Sequence, residues 1–357
     1  MNSLFGRSVF HVGDEAFFSE DVLLASLRSG DWRALEREAR DGLVRTRSLR
    51  ATGGTLPAAA VEQAAAEFRY AHDLIAADDT VAWLARWGLT TGEWIAFIRG
   101  RLLGADPLPS AGGARPDDES TPTAAEVAGV VPTVLVCSGA FTRLARRLAE
   151  RAAARACLAG TPSEGDAVPA AAEPLCLPAD SGEVAAHLFA GLDPTWTRER
   201  AAVVASLDDV PARLRERVLT PRAVRSVVSG NELDWTRVGY RALHFPDEAM
   251  AREAALCVRT DGLGVAAVAA AAGVAVREER RWLDDVPTSL RDAIRAARPG
   301  ELVGPLRVNG GFALYHVDAK WPPQLDDEEV RRRAEECAVE RAVGRAVNEH
   351  VRWETLP

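Results

Sequence analysis

The segment Arg298-Pro-Gly-Glu-Leu-Val-Gly-Pro305 is the feature that most constrains how this chain can fold. It follows residues 289–297, whose apolar side chains recur at helical spacing, and a Pro-Gly pair cannot continue a helix. Residues 301–308 and 311–318 then form two short apolar runs, separated by a glycine pair that is typical of a turn. The sequence therefore predicts a helix that ends at the Pro-Gly turn, followed by two strands.

Four further elements are predicted before this segment. Residues 237–245 alternate between apolar and polar side chains, as a strand does, and residues 274–282 are predicted as a second strand. Two helices, 247–258 and 265–272, are predicted between these strands. Residues 231–321 therefore predict the order βααβαββ and a small antiparallel sheet.

The rest of the chain is predicted to be mostly helical, which makes the fold class α+β. Residues 134–158 are predicted as one helix, and residues 326–353 as one long charged helix with an apolar seam that needs a partner. We expect the N-terminal helices to be that partner, so that the helices from both ends form one body. The predicted divisions are an N-terminal helical domain at 1–104, a flexible linker at 105–130, a second helical block at 131–230, the βααβαββ domain at 231–321 and a C-terminal helix at 322–357. Whether the block at 131–230 is a separate domain is left open by the sequence.

Composition restricts the functions that are open to this chain. It has 357 residues, a formal net charge of −9 and 27% charged residues, which argues against a surface for nucleic acids. No run of 18 apolar residues is present, so no membrane span is expected. The N-terminus lacks a basic stretch followed by an apolar one, and the cysteines are odd in number and widely spaced, so we expect a cytoplasmic protein with reduced thiols.

The element order and its motifs resemble the parvulin-type peptidyl-prolyl isomerases, and the flanking helices resemble those of SurA-type chaperones. The resemblance rests on Pro299-Gly-Glu-Leu-Val-Gly-Pro305 and on the motif from Ala66 to Trp94, which is similar to the N-domain helices of those chaperones. Residues 233–305 look closer to a bacterial subgroup of parvulin-like proteins linked to the maturation of ribosomally made, modified peptides. The resemblance covers most of the chain outside 105–180 and implies a SurA-like helical body with one parvulin-like domain that holds an extended peptide.

The same resemblance indicates that the polar groups of a catalytic parvulin are missing. The first-strand histidine of the family falls near Arg241, and the second falls on Ala313. The apolar proline pocket falls near Val286 and Leu290. Isomerisation needs no covalent nucleophile, so the loss of these polar groups weakens catalysis more than it weakens peptide binding.

Two histidines lie close to the family's catalytic positions. A small slip of the alignment would place His244 and His316 at the site, so they are the catalytic candidates, and unpaired surface histidines are the alternative. The residues predicted to bind the peptide are Arg241, Leu243, Trp282, Val286, Leu290, Phe312 and Ala313. No metal site or cofactor is predicted.

The leading functional hypothesis is a parvulin-like chaperone or accessory protein that binds an unfolded or precursor peptide for maturation, without strong isomerase activity. Binding would use strand addition to an exposed sheet edge, or apolar anchoring beside Val286, Leu290 and Trp282. One alternative is an active prolyl isomerase that uses His244 or His316. Another is a structural subunit of a peptide-modifying enzyme complex. The expected partners are the peptide and such an enzyme, with no nucleic acid and no membrane.

Overall fold

The computed structural model describes residues 4–105, 121–159, 182–308 and 310–354. These residues are mostly helical and contain two small antiparallel sheets, which confirms the predicted α+β class. They belong to two compact units. The first unit comprises Met1–Arg215 and Ala342–Pro357, and the second comprises Glu216–Arg341.

The first unit is built around packed helices. One of them, α6, packs against α2 and α5, so helices from the predicted N-terminal domain and from the predicted second block lie in one unit. The helices are α1 Ser19–Ser29, α2 Asp31–Ala51, α3 Ala58–Ala71, α4 Ala77–Trp87, α5 Thr91–Ala105, α6 Ala124–Cys137, α7 Ala140–Ala159, α8 Gly182–Phe189, α9 Pro194–Ala205 and α10 Val210–Val218. The last helix, α10, continues past Arg215 into the second unit.

The single helix predicted at 134–158 is wrong. The chain forms α6 and α7 instead, and they are separated at Gly139, whose φ of 69° is a conformation that ends a helix. The helix α6 begins within the predicted linker at 105–130, because the Thr123 hydroxyl and the Glu126 carboxylate cap its first turn reciprocally. Residues 106–120 of that linker lie outside the described residues.

A three-stranded sheet belongs to the same unit. Its strands are β1 Ser8–Val12, β2 Glu15–Phe18 and β7 Val351–Trp353, in the antiparallel order β2-β1-β7. The helix predicted at 326–353 is therefore too long. It ends at His350, and the next three residues pair with β1.

No single helix in the described ranges is long and apolar enough to cross a membrane. The consecutive helices α6 and α7 are long and apolar enough to span a membrane only when they are taken together, and their axes are bent by 75° at the junction.

The second unit contains the elements predicted for 231–321, in the predicted order. Its sheet is antiparallel, with the strand order β4-β3-β6-β5. The elements are α11 Pro221–Gly230, β3 Arg237–Phe245, α12 Glu248–Arg259, α13 Val265–Ala272, β4 Val276–Trp282, a short 3-10 helix Leu283–Asp285, α14 Thr288–Ala296, β5 Leu302–Val308 and β6 Gly311–Trp321.

Each face of this sheet is covered by different helices. On one face, here called the α14 face, buried side chains of β3 and β6 pack on α14 and the 3-10 helix. These side chains are Val238, Tyr240, Ala242, Ala313 and Tyr315. The other face, here called the α12 face, packs Leu243, Phe245 and Leu314 on α12 and α13. The unit therefore has two small cores, one on each side of the sheet.

The long helix α15 Glu328–His350 begins in the second unit and ends in the first. In the second unit its buried residues Val330, Ala334 and Ala338 pack with Trp235 and with α11. The predicted apolar seam is thus buried over its first half by α11.

Candidate functional site

The strand β4 is an open edge of the four-stranded sheet, because among the described residues it pairs with β3 alone. Hydrogen bonds in an antiparallel pair join alternate residue pairs. The Leu283 N–H donates to the Thr236 carbonyl at 2.9 Å, next to the end of β4. Counting back from Leu283 along the register, every second residue of β4 bonds to β3, namely Arg281, Glu279 and Arg277. The backbone N–H and C=O groups of the alternate residues Val276, Glu278 and Arg280 therefore point away from β3. These groups are available to an added strand.

The opposite edge, β5, is closed to strand pairing. Pro305 has no N–H to donate, and the register of β5 with β6 is irregular around it. Two carbonyls of β5 are already occupied, because Arg259 Nη2 donates to Leu302 O at 2.9 Å and to Gly304 O at 2.7 Å. Proline, irregular register and covering side chains are features that protect natural sheet edges. Of the two edges, β4 is the one that can accept a further strand.

The open edge carries an unbroken run of charge at 277–281. Glu279 is engaged within the sheet, since its carboxylate accepts a hydrogen bond from the Tyr240 hydroxyl at 2.9 Å and pairs with Arg281 at 2.7 Å. Burial, and then the hydrogen bond to Glu279, raise the pKa of Tyr240, so the phenol stays protonated as the donor. Three exposed side chains of β4 have no ion-pair partner within the described ranges: Arg277, Glu278 and Arg280.

A cavity of about 570 Å³ opens at the C-terminal end of β4, and an adjoining one of about 350 Å³ shares Arg237, Arg280 and Trp282 with it. Each cavity wall contains an indole covered by a guanidinium. The Arg237 guanidinium lies 4.0 Å from the ring centroid of Trp282, and that of Arg280 lies 4.4 Å from the ring centroid of Trp321. We call this pair of cavities the Trp282–Trp321 cleft. Its cation–π stacks hold the arginines in place beside the open edge.

The two candidate catalytic histidines do not come together. His244 lies opposite Ala313 in the register and is exposed at the end of the α14 face. His316 lies opposite Arg241 on the α12 face. Residues that differ by an odd number along a strand point to opposite sides of a sheet, so the two imidazoles are separated by the sheet itself.

Arg241 and Ala313, the positions that the resemblance assigns to the two family histidines, are separated in the same way. Arg241 belongs to the α12 face, and Ala313 is buried in the core of the α14 face. The two positions therefore do not face a common site.

Arg241 takes part in a polar cluster with His316 and Asp318. An irregularity in the β3–β6 register leaves Asp318 unpaired, and the Arg241 guanidinium donates to its carboxylate at 2.6 Å. The Nδ1 atom of His316 lies 2.9 Å from the same carboxylate and 3.2 Å from Arg241 Nη2. Burial alone would raise the pKa of Asp318, but its hydrogen bonding with Arg241 and His316 outweighs burial and lowers that pKa.

Most of the predicted peptide-binding residues are core residues. Val286, Leu290 and Ala313 are buried in the α14-face core. Leu243 is buried in the α12-face core, and the half-buried Phe312 packs against it. Trp282 alone among the seven predicted residues lines the Trp282–Trp321 cleft.

The sequence predicted an exposed sheet edge, but it did not indicate that β4 forms this edge, nor did it single out Arg280 and Trp321. The charge run at 277–281, which includes Arg280, is a signal for this edge, because dense charge on a predicted strand is typical of an exposed sheet edge. No such signal marks Trp321. A strand inside the sheet would instead carry an apolar side chain at every second position, on the face that packs against the core.

The described residues contain no group of three or more His, Cys, Asp or Glu side chains that could hold a metal ion. The four described cysteines are free thiols, and Cys176 lies outside the described residues. Burial, and then the charge of Glu93, raise the pKa of Cys137 to about 12. The Cys137 thiol is therefore protonated at neutral pH and is a poor nucleophile.

No protein-family model matches the sequence, and no curated protein matches it either. A crystal structure of PrsA from Bacillus subtilis is distantly similar, with 13% sequence identity and a TM-score of 0.21. The similarity covers 47% of this chain and 69% of the PrsA chain.

Proposed function

We propose that this protein is a parvulin-like chaperone or accessory protein that binds an extended peptide by adding it to β4 as a fifth strand. The observation that carries the proposal is the contrast between the two sheet edges. Backbone groups of Val276, Glu278 and Arg280 point outwards from β4, whereas β5 is closed by Pro305 and Arg259. Main-chain hydrogen bonds supply the affinity in this mode of binding, and neighbouring side chains supply the specificity.

A binding role without isomerase chemistry is supported by the separation of His244 and His316 on opposite sides of the sheet. The α14 face beside Ala313 is filled by Tyr240 and Tyr315, whose rings meet edge to face at 5.7 Å. On the basis of the resemblance to parvulin-like maturation proteins, we further propose that the peptide is an unfolded or precursor peptide in the cytoplasm. The protein would present it to a peptide-modifying enzyme.

The alternative role for the charged edge is protection, because charge on an edge strand also prevents sheets from pairing with one another. Proline substitutions along β4 separate the two roles. In Glu278→Pro, the lost N–H points away from β3, so the sheet should stay folded while an added strand loses a donor and meets the proline ring. In the matched control Glu279→Pro, the lost N–H points into the sheet, so stability should fall.

The measurement is isothermal titration calorimetry of the full chain with precursor peptides encoded beside its gene and with a synthetic peptide of alternating threonine and valine. We expect Glu278→Pro to weaken binding roughly tenfold or more at an unchanged melting temperature, since it removes a main-chain hydrogen bond and adds a steric clash. Equal affinity of the wild type and Glu278→Pro would contradict strand addition to β4. Absence of binding to every peptide would contradict the function itself.

A further inference from the structure

The Trp282–Trp321 cleft contains an arginine, Arg280, that forms no ion pair with the carboxylates that line the cleft. Arg237 donates to Asp327 at 2.8 Å, and Arg281 pairs with Glu279. Arg280 has no ion pair with any residue in the described ranges, although it lines both cavities of the cleft. The carboxylates of Asp285 and Glu329 line the larger cavity and those of Asp326 and Asp327 the smaller one, but none of them forms an ion pair with Arg280.

Arg280 is nevertheless held in one place. Its guanidinium stacks 4.4 Å from the ring centroid of Trp321, and that indole lies against the backbone of β3 at Gly239. A Cβ atom at Gly239 would come within 3.0 Å of the Trp321 ring, so a residue with a side chain would displace the indole. Gly239 and Trp321 thus form a platform that orients the guanidinium before any ligand arrives, which lowers the entropy lost on binding.

The position of Arg280 on the open edge determines which part of a peptide it can reach. Its backbone N–H and C=O point outwards, so an added strand would place one residue directly opposite it. Side chains of directly opposite residues lie on the same face of the sheet, about 5 Å apart at Cβ. That peptide residue would therefore lie beside the Arg280 guanidinium.

Building on the proposed function, we infer that Arg280 binds a carboxylate of the added peptide and so selects peptides with an acidic group at that position. A guanidinium offers two parallel N–H donors that match a carboxylate, and stacking on the indole leaves its edge free to donate. The carboxylate can come from an aspartate or glutamate side chain or from the C-terminus of the peptide.

Three synthetic peptides of alternating threonine and valine test the inference by isothermal titration calorimetry. The first has a central glutamate and an amidated C-terminus, the second has a central glutamine and a free C-terminal carboxylate, and the third has glutamine and an amide. All three are acetylated at the N-terminus. We expect the first or the second to bind about tenfold more tightly than the third, as one charge-assisted hydrogen-bonded pair provides. Whichever binds more tightly identifies the source of the carboxylate.

The variant Arg280→Gln should abolish this preference while the third peptide binds as before. Arg277→Gln is the matched control, because Arg277 is an exposed arginine of the same strand that lines neither cavity of the cleft. It should keep the preference. A preference that survives in Arg280→Gln, or that falls equally in both variants, would overturn the assignment to Arg280.

The outcomes also separate this inference from the function on which it rests. Equal binding of all three peptides that is weakened by Glu278→Pro would leave strand addition intact and reject the carboxylate site. No binding of any of the three to the wild-type chain would reject both.

Discussion

At the scale of single residues, Arg241 belongs to a hydrogen-bonded cluster that its sequence position did not predict. It lies where a parvulin histidine was expected, yet its guanidinium bonds with Asp318 and approaches His316 on the α12 face. The Nδ1 atom of His316 can donate to Asp318 or accept from Arg241, depending on which ring nitrogen carries the proton. The side chains of Arg241, His316 and Asp318 therefore hold one another in position through hydrogen bonds.

Replacing Arg241 should change the titration of Asp318. Because the folded-state pKa of Asp318 is lowered, the ionised carboxylate adds stability above its unfolded pKa, and this stability is lost as the pH falls through the folded-state value. In Arg241→Gln we expect the pKa of Asp318 to rise. The difference in melting temperature between wild type and variant should be largest near neutral pH and should shrink in acid.

The measurement is a carbon-detected NMR titration of the carboxylates, together with thermal unfolding at several pH values. Arg307→Gln, which alters an exposed arginine on β5, is the control and should leave Asp318 unchanged. An Asp318 pKa that stays the same in Arg241→Gln would show that the ion pair does not stabilise the carboxylate.

At the scale of elements, the motif that ends in Gly304-Pro305 fixes the path of β5. Gly304 has a φ of 111°, and a Cβ atom there would come 2.7 Å from the backbone oxygen of Ala313 on β6. Gly300, earlier in the motif, has a φ of 88° and open space around it. One glycine is thus required by conformation alone, and the other by conformation and by the close approach of two strands.

We expect alanine substitutions at these two glycines to lower the free energy of unfolding by different amounts. We expect Gly300→Ala to lower the free energy of unfolding by about 1 kcal/mol, the cost of an unfavourable φ. Gly304→Ala should cost about 3 kcal/mol or more, because β5 must also move away from β6. Urea denaturation measures both, and equal losses would indicate that the strands can separate without cost.

The strands themselves were largely predictable, because alternation and turn residues are local properties of the sequence. Residues 237–245 were predicted as a strand and form β3 with the same bounds. The single helix at 134–158 was not split correctly, since the apolar spacing continues through Gly139 and only its backbone conformation ends the helix. Local patterns give the type of an element more reliably than its end.

At the scale of the whole molecule, the two ends of the described chain meet in one sheet. Trp353 on β7 lies opposite Phe10 on β1, with ring centroids 5.3 Å apart, and Phe10 in turn stacks on Phe17 at 4.7 Å. The Glu354 N–H donates to the Val9 carbonyl at 2.9 Å and extends the pairing. The last strand therefore closes the first unit over an aromatic core.

Removing the Trp353 ring should destabilise this unit. We expect Trp353→Ala to lower the free energy of unfolding by about 2 kcal/mol through lost apolar burial and lost aromatic contact. Arg352→Ala, a change in an exposed side chain of the same strand, should cost no more than about 0.5 kcal/mol. Chemical denaturation of the full chain compares them, and similar values for the two variants would mean that β7 adds little to the stability of the unit.

The sequence by itself determined the α+β class, the order βααβαββ and the turn that ends α14, because these follow from side-chain periodicity and from the backbone limits of proline and glycine. Tertiary structure alone decided that His244 and His316 lie on opposite sides of the sheet and that Arg280 rests on Trp321 above Gly239. Each of these depends on which distant residue a strand is paired with and in what register. That choice is made by packing energies between separated parts of the chain, which no local pattern records.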